Sequence, residues 1–189
     1  MRKTIYTIIV VLVFSLPLYS CSTTYTLYID NIYRGKQFLL DKEYLAAEKH
    51  FKQAMHNIRD AVSLTFLAVA EYKIGNLEGA GKLIEEAAKE KPDILYLVRT
   101  FGYRAIIFMN RDKAQGIAAL KDYIDRYEHL YPLESIGELE GMVRKGDIDK
   151  ERMEKIIEEQ IGWYEKEMEQ YLTTRTGFYA RVDNSRDSQ

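Results

Sequence analysis

Residues 64–92, LTFLAVAEYKIGNLEGAGKLIEEAAKEKP, decide the architecture of this chain. Leu64, Leu67 and Ala68 fall on one helical face, Gly75-Asn76-Leu77 interrupts, and Ala80, Ile84 and Ala87 resume the helical spacing. Apolar residues three and four apart share one side of a helix, so the stretch predicts two helices joined by a tight turn. Small Ala68 and Ala80 let two antiparallel helices approach closely. Gly75 supplies a permissive turn backbone, and Pro92 prevents the second helix from continuing.

The same unit recurs on both sides. Ala47, Ala80 and Ala114 mark an early position of each second helix, at spacings of 33 and 34 residues. In the first unit Gly35 and Phe38 belong to the first helix, Lys42-Glu43-Tyr44 stands where the middle unit has Gly75-Asn76-Leu77, and Ala47, Phe51 and Ala54 form the seam. In the third, Phe101-Gly102 and Ala105 belong to the first helix, Asn110 lies at the turn, and Ala114 and Ala118 are expected to continue the seam. Lys121 takes the place of the next alanine, and no proline closes this unit. With this period the chain resembles the tetratricopeptide family over residues 28–131. The resemblance implies an all-α fold, a solenoid of antiparallel helix pairs with about three repeats.

Beyond Tyr131-Pro132 the pattern changes. Leu133 to Lys145 reads as a short helix that Gly146 ends with a left-handed cap. Asp147 or Asp149 can cap the next helix, which runs to about Thr174. Its apolar stripe is Met153, Ile157, Ile161, Tyr164, Met168 and Tyr171 or Leu172, over a Lys- and Glu-rich outer face. A repeat stack needs a terminal element with a polar outer face to cover its last core. Residues 132–175 are therefore expected to be capping helices, the alternative being a coiled-coil seam for a partner. Residues 176–189 are polar and expected to be a disordered tail, with Phe178 and Tyr179 able to dock it locally.

The amino terminus carries an address. Arg2 and Lys3 precede an uncharged apolar run from Ile5 to Leu18, which ends on Leu18-Tyr19-Ser20-Cys21. A positive start, a short apolar middle and a small residue before the cut describe a secretory signal. The run is about 14 residues, against roughly 20 needed to span a bilayer. Its ending is similar to the lipobox of bacterial lipoproteins, although Tyr19 departs from the small or branched residue usual there. The resemblance implies a signal peptide over residues 1–20, lipidation of Cys21 and a short linker over residues 21–27. Ser22 after the cysteine favours, by the same resemblance, the outer membrane and a periplasm-facing protein. An ordinary cleaved signal and an uncleaved anchor are the alternatives. Cys21 is the only cysteine, so no intrachain disulfide can form. Two or more acyl chains would anchor the chain stably, where one binds marginally.

The formal charge is −2, and loss of residues 1–20 leaves 25 basic against 29 acidic side chains, or −4. An acidic balance gives no electrostatic reason to bind nucleic acid. His50 and His56 are six residues apart on one helix and point about 120° away from each other, unlike an i, i+4 metal pair. No phosphate-cradling glycine loop, His-Glu-x-x-His run or Cys/His cluster is present. Glu158-Glu159 and Glu138 with Glu140 read as solvated helix charges. The expectation is a non-enzyme without metal or cofactor.

What remains is surface. The tetratricopeptide resemblance implies that the first helix of each pair lines a concave groove. The usual groove positions fall on Thr65, Val69, Tyr72 and Lys73, then on Tyr96, Arg99, Tyr103 and Ile107. Tyrosines offer large contact area at small entropy cost, and the two cations can hold a carboxylate. Such a face suits a protein partner or an extended peptide, although the same tyrosines would also suit packing against the terminal helix. The expected function is a lipid-anchored, non-catalytic scaffold for protein–protein interaction in an envelope assembly. The alternative is a small-molecule- or glycan-binding subunit of an envelope transport system. An open groove favours the peptide, and a groove closed by the terminal helix favours the small ligand.

Overall fold

The computed structural model describes residues 23–90, 92–127 and 135–180, and no strand occurs among them. Helix α1 covers residues 23–40. It is followed by α2 (Tyr44–Asn57), α3 (Ala61–Ile74), α4 (Leu77–Lys89), a 3-10 turn at Ile94–Tyr96, α5 (Leu97–Arg111), α6 (Lys113–Tyr127), α7 (Ile136–Lys145) and α8 (Lys150–Thr174). From α2 to α7 each helix packs on the next, and α8 turns back to lie along α5. The molecule is thus an all-α stack of adjacent helix pairs.

Short polar residues set the helix starts. Asp60 accepts from the Ser63 amide while the Ser63 hydroxyl accepts from the Asp60 amide, a reciprocal cap for α3. Asn76 caps α4 through the Gly79 amide, and Asp149 caps α8 through the Arg152 amide. Gly75 at φ 93° closes the α3–α4 turn as expected, and Gly146 at φ 69° ends α7. In the first two pairs the seams are those read from the spacing. Ala47, Phe51 and Ala54 are fully buried, as are Ala80, Ile84 and Ala87.

The third pair departs from the expected register. Ala114 and Ala118 are exposed, and Gly116, Ala119, Leu120 and Tyr123 form the buried seam. Asp112 is the reason. It directly follows α5 and caps α6 by accepting from the Gln115 amide, so α6 starts two residues later than the alanine spacing requires. Two residues turn a helix by about 200°, which exchanges its buried and exposed sides.

At the amino end, residues 23–27 are helical, where a linker was expected. At the carboxyl end, α8 buries Met153, Ile157, Ile161, Tyr164 and Met168, and Leu172 is exposed. Phe178 meets Trp163 edge-on and Tyr179 meets it at a tilt, so the chain stays packed past Thr176. No described helix is long and apolar enough to cross a membrane. The signal segment, Cys21, Leu133 and residues 181–189 lie outside the described residues.

Candidate functional site

Helices α3 and α5 lie side by side and present Thr65, Val69, Tyr72, Lys73, Tyr96, Arg99, Tyr103 and Ile107 near one face. These are the positions singled out from sequence. Thr65, Val69 and Ile107 are interior, with the Thr65 hydroxyl 2.9 Å from that of Thr100. The polar members reach outward and meet α8. Tyr72 donates to Glu154 at 2.6 Å, and Lys73 donates to Glu154 and Glu158, both at 2.8 Å. Tyr103 donates to Glu158 at 2.7 Å. Arg99 grips Glu165 with two hydrogen bonds of 2.6 and 2.9 Å. The face is therefore occupied by the chain's own last long helix.

Geometry fixes the direction of that occupant. Glu154 sits at the carboxyl end of α3, whereas Glu165 meets the first turn of α5 and Tyr164 donates to the Ile94 carbonyl at 2.8 Å. Helix α8 thus runs antiparallel to α5. Gly102 makes the approach possible, since a Cβ there would lie 2.6 Å from Ile157 Cγ2. Deep in the contact, the Tyr123 hydroxyl donates to Gln160 at 2.7 Å and joins α6 to α8.

The electrostatics follow from this closure. Burial alone would raise the Glu158 pKa, but the hydrogen bonds from Lys73 and Tyr103 outweigh it and hold it below the ordinary 4.5. Burial would lower Lys73, yet Glu154 and Glu158 keep it above the ordinary 10.5. Burial raises Tyr103 well above its usual range, with the Glu158 charge adding to the effect. Glu158 was read as a freely solvated charge; it is instead shared between two helices as a structural acceptor.

One part of this surface remains open. Between α1 and the second half of α8 lies a cleft of about 660 Å³. Lys36, Leu39 and Leu40 of α1 form one wall, Phe66 of α3 is in the floor, and Ile161, Gly162 and Lys166 of α8 form the other wall. Lys36 donates to the Tyr96 hydroxyl at 3.2 Å and sits 5.2 Å from the centre of that ring and 5.7 Å from the Phe66 ring. Lys36, Leu39 and Leu40 were not among the expected site residues. A step of 33 residues back from Val69, Tyr72 and Lys73, the spacing between Ala47 and Ala80, lands on all three.

A larger hollow of about 1030 Å³ lies on the α4–α6 side, where Arg104 is bound to both Glu85 and Asp122. Its charges face one another across the hollow. His50 pairs with Asn31 at 2.9 Å and stacks on Phe38, a structural arrangement. Among the described residues no cluster of three or more His, Cys, Asp or Glu side chains has the geometry to hold a metal. Comparison of the chain with protein-family profiles, curated proteins and solved structures gives no match.

Proposed function

We propose that this chain is a non-catalytic, lipid-anchored scaffold of tetratricopeptide type that binds another protein at the periplasmic side of a bacterial envelope. The observation that carries the reading is the uncovered side of α1. Tyr25, Ile29, Tyr33 and Leu40 are all exposed there, Leu40 by 74% and Tyr33 by 64%. At 100° per residue they lie within about 80° of one another around the helix, so they form one stripe rather than scattered apolar residues. Contiguous apolar surface of this kind favours a protein partner. Of the groove residues expected to serve that partner, Tyr72, Lys73, Arg99 and Tyr103 are engaged by α8 and Tyr96 by Lys36 of α1. This is the closed arrangement that favours a small ligand in the groove, so the protein partner is assigned to the α1 edge.

The address rests on the lipobox-like ending at Cys21. Mass spectrometry of the mature protein tests it: the reading requires a chain that begins at a diacylglyceryl-modified Cys21, and an intact Met1 with a free thiol refutes it. Photo-crosslinking from position 33 in native membranes tests the scaffold role. A discrete crosslinked protein that disappears in Ile29→Glu, with the thermal midpoint unchanged, is the expected result. Crosslinks to lipid alone would remove the protein-scaffold reading.

A further inference from the structure

The cleft between α1 and α8 differs in kind from the sealed face beside it. Two of its cations, Lys73 and Arg99, are held by Glu154, Glu158 and Glu165 of α8. Three others, Lys36, Lys42 and Lys166, line the same cleft and have no carboxylate partner among the described residues. Outside the α8 clamp, Glu169 is the one lining carboxylate. Five lining cations against three lining carboxylates, in a chain of net charge −2, make this a locally cationic hollow, with Lys36, Lys42 and Lys166 the cations outside the clamp. Its accessible apolar surface is that of Leu39 and Leu40 of α1 and the backbone at Gly162, above a floor that Phe66 and Ile161 close with 1% and 2% of their surface exposed.

Two residues lining the cleft are not the ones local backbone preference favours. Gly162 stands inside α8, where glycine is the poorest helix former after proline. A Cβ at Gly162 would meet nothing within 4 Å, so packing does not require the glycine. At the opposite lip, Lys42 holds a left-handed backbone with φ 61°. The equivalent turn between α3 and α4 uses Gly75, which adopts that conformation without a Cβ clash. One wall thus lacks a side chain that the fold would accept, and the other carries a lysine where the fold would prefer glycine.

We propose that this cleft is a binding site for a small amphiphilic anion, a carboxylate or phosphate on an apolar body. Pockets of 300–1,000 Å³ are the usual size for small ligands, and about 660 Å³ falls within that range. The apolar body rests against Leu39 and Leu40 and passes over Gly162. The anionic head meets Lys36, whose ammonium the Phe66 and Tyr96 rings hold in place, with Lys42 and Lys166 at the rim. This site adjoins the α1 edge assigned to a protein partner, with Leu40 common to both, but its cations and Gly162 lie outside that edge and its test does not depend on it.

The test uses one apolar body with three charges. 4-Phenylbutyrate, 4-phenylbutanol and 4-phenylbutylamine are titrated into the full chain in nonionic detergent and followed by ligand-observed NMR. The acid is expected to bind saturably and at least tenfold more tightly than the alcohol, and the amine not at all. A Cβ at Gly162 meets nothing within 4 Å, so Gly162→Leu projects a side chain into the cleft and should abolish binding while the thermal midpoint stays level or rises. Lys36→Met combined with Lys166→Gln should bring the acid down to the affinity of the alcohol. Equal binding of all three probes, or binding that survives Gly162→Leu, overturns the proposal. So does the absence of saturable binding by the acid at millimolar concentration. Capture of an acidic helical peptide in place of the acid would reassign the cleft to a protein ligand.

Discussion

Arg99 and Glu165, 66 residues apart in sequence, face each other fork to fork across the α5–α8 contact, with 16% and 15% of their side chains exposed. Burial disfavours the charged guanidinium, but the Glu165 hydrogen bonds and charge more than compensate and raise its pKa. A pair this enclosed is asymmetric in its energetics. Removing one member strands the other charge, which costs about 3 kcal/mol or more.

Arg99→Ala is therefore expected to destabilise the domain by about 3 kcal/mol, whereas Arg99→Met with Glu165→Met recovers much of the loss. Chemical denaturation of Arg99→Met, Glu165→Met and the double variant gives the coupling. Additive losses would mean that the two charges do not depend on each other. Any loss of partner capture in Arg99→Ala would report loosening of α8 before it reported a missing contact.

Gly116 marks the tightest approach of α5 and α6. A Cβ there would lie 2.4 Å from Met109 Cα, a backbone atom that cannot rotate away. Gly116→Ala should cost about 1–3 kcal/mol from overpacking, more than the roughly 1 kcal/mol that alanine returns in helix propensity. At Gly141 of α7, a Cβ meets nothing within 4 Å, so Gly141→Ala should stabilise by about 0.5–1 kcal/mol. Paired thermal melts decide this; a stabilised Gly116→Ala would show that α5 and α6 have room to separate.

Those two glycines also show where sequence reading succeeds and where it stops. The first two helix pairs were legible because Gly75 and the Ala47–Ala80 spacing report backbone geometry directly. The buried stripe of α8 was legible from its spacing, but its seat was not: the helix expected to cap the end of the stack lies along α5 on the α3–α5 face. The third pair misled because Ala114 kept the period by coincidence while Asp112, a strong capping residue, had already set a different start. Reading Asp112 as a cap would have placed Gly116 on the seam. The links from Lys73 and Arg99 to Glu154, Glu158 and Glu165 could not be read, because a stripe gives the face of a helix but not which residues of another helix it meets.

The Lys73–Glu158 contact predicts a pH window. The folded pKa of Glu158 is depressed, so its contribution is present above the unfolded value of about 4.5 and is lost as pH falls through the folded one. Lys73 is raised, so its contribution is present below the unfolded value of about 10.5 and is lost as pH rises through the folded one. Stability should be flat through neutrality and decline below about pH 4.5. Glu158→Gln should have a shallower acid decline than the parent. Thermal midpoints between pH 3 and 8, followed by circular dichroism, measure both; matching acid profiles for parent and variant would remove Glu158 from the account.

Lys42 predicts a stabilising substitution. A left-handed backbone costs an L-residue about 1–2 kcal/mol, and glycine adopts it freely at some expense in unfolded-state entropy. Lys42→Gly should therefore raise stability by about 0.5–1 kcal/mol. Urea denaturation with an unchanged m-value would confirm the gain, and a loss would show that the lysine side chain stabilises the turn.

The position of α8 at the end of the chain has a consequence in time. Glu158 closes contacts with Tyr103 and Lys73 across 55 and 85 residues. At a synthesis rate of roughly 5–20 residues per second, Lys73 waits roughly 4–17 s for its acceptor. Tyr103 is made later and waits roughly 3–11 s, and for that time the α3–α5 face stands bare, with Tyr103 and the surface around Gly102 open to any chaperone or protease that recognises apolar chain. A ribosome that stops before residue 150 leaves a product that can form its early helix pairs yet keeps this mark of incompleteness. Closure by α8 thus distinguishes a chain that has been made through residue 174 from one abandoned before it.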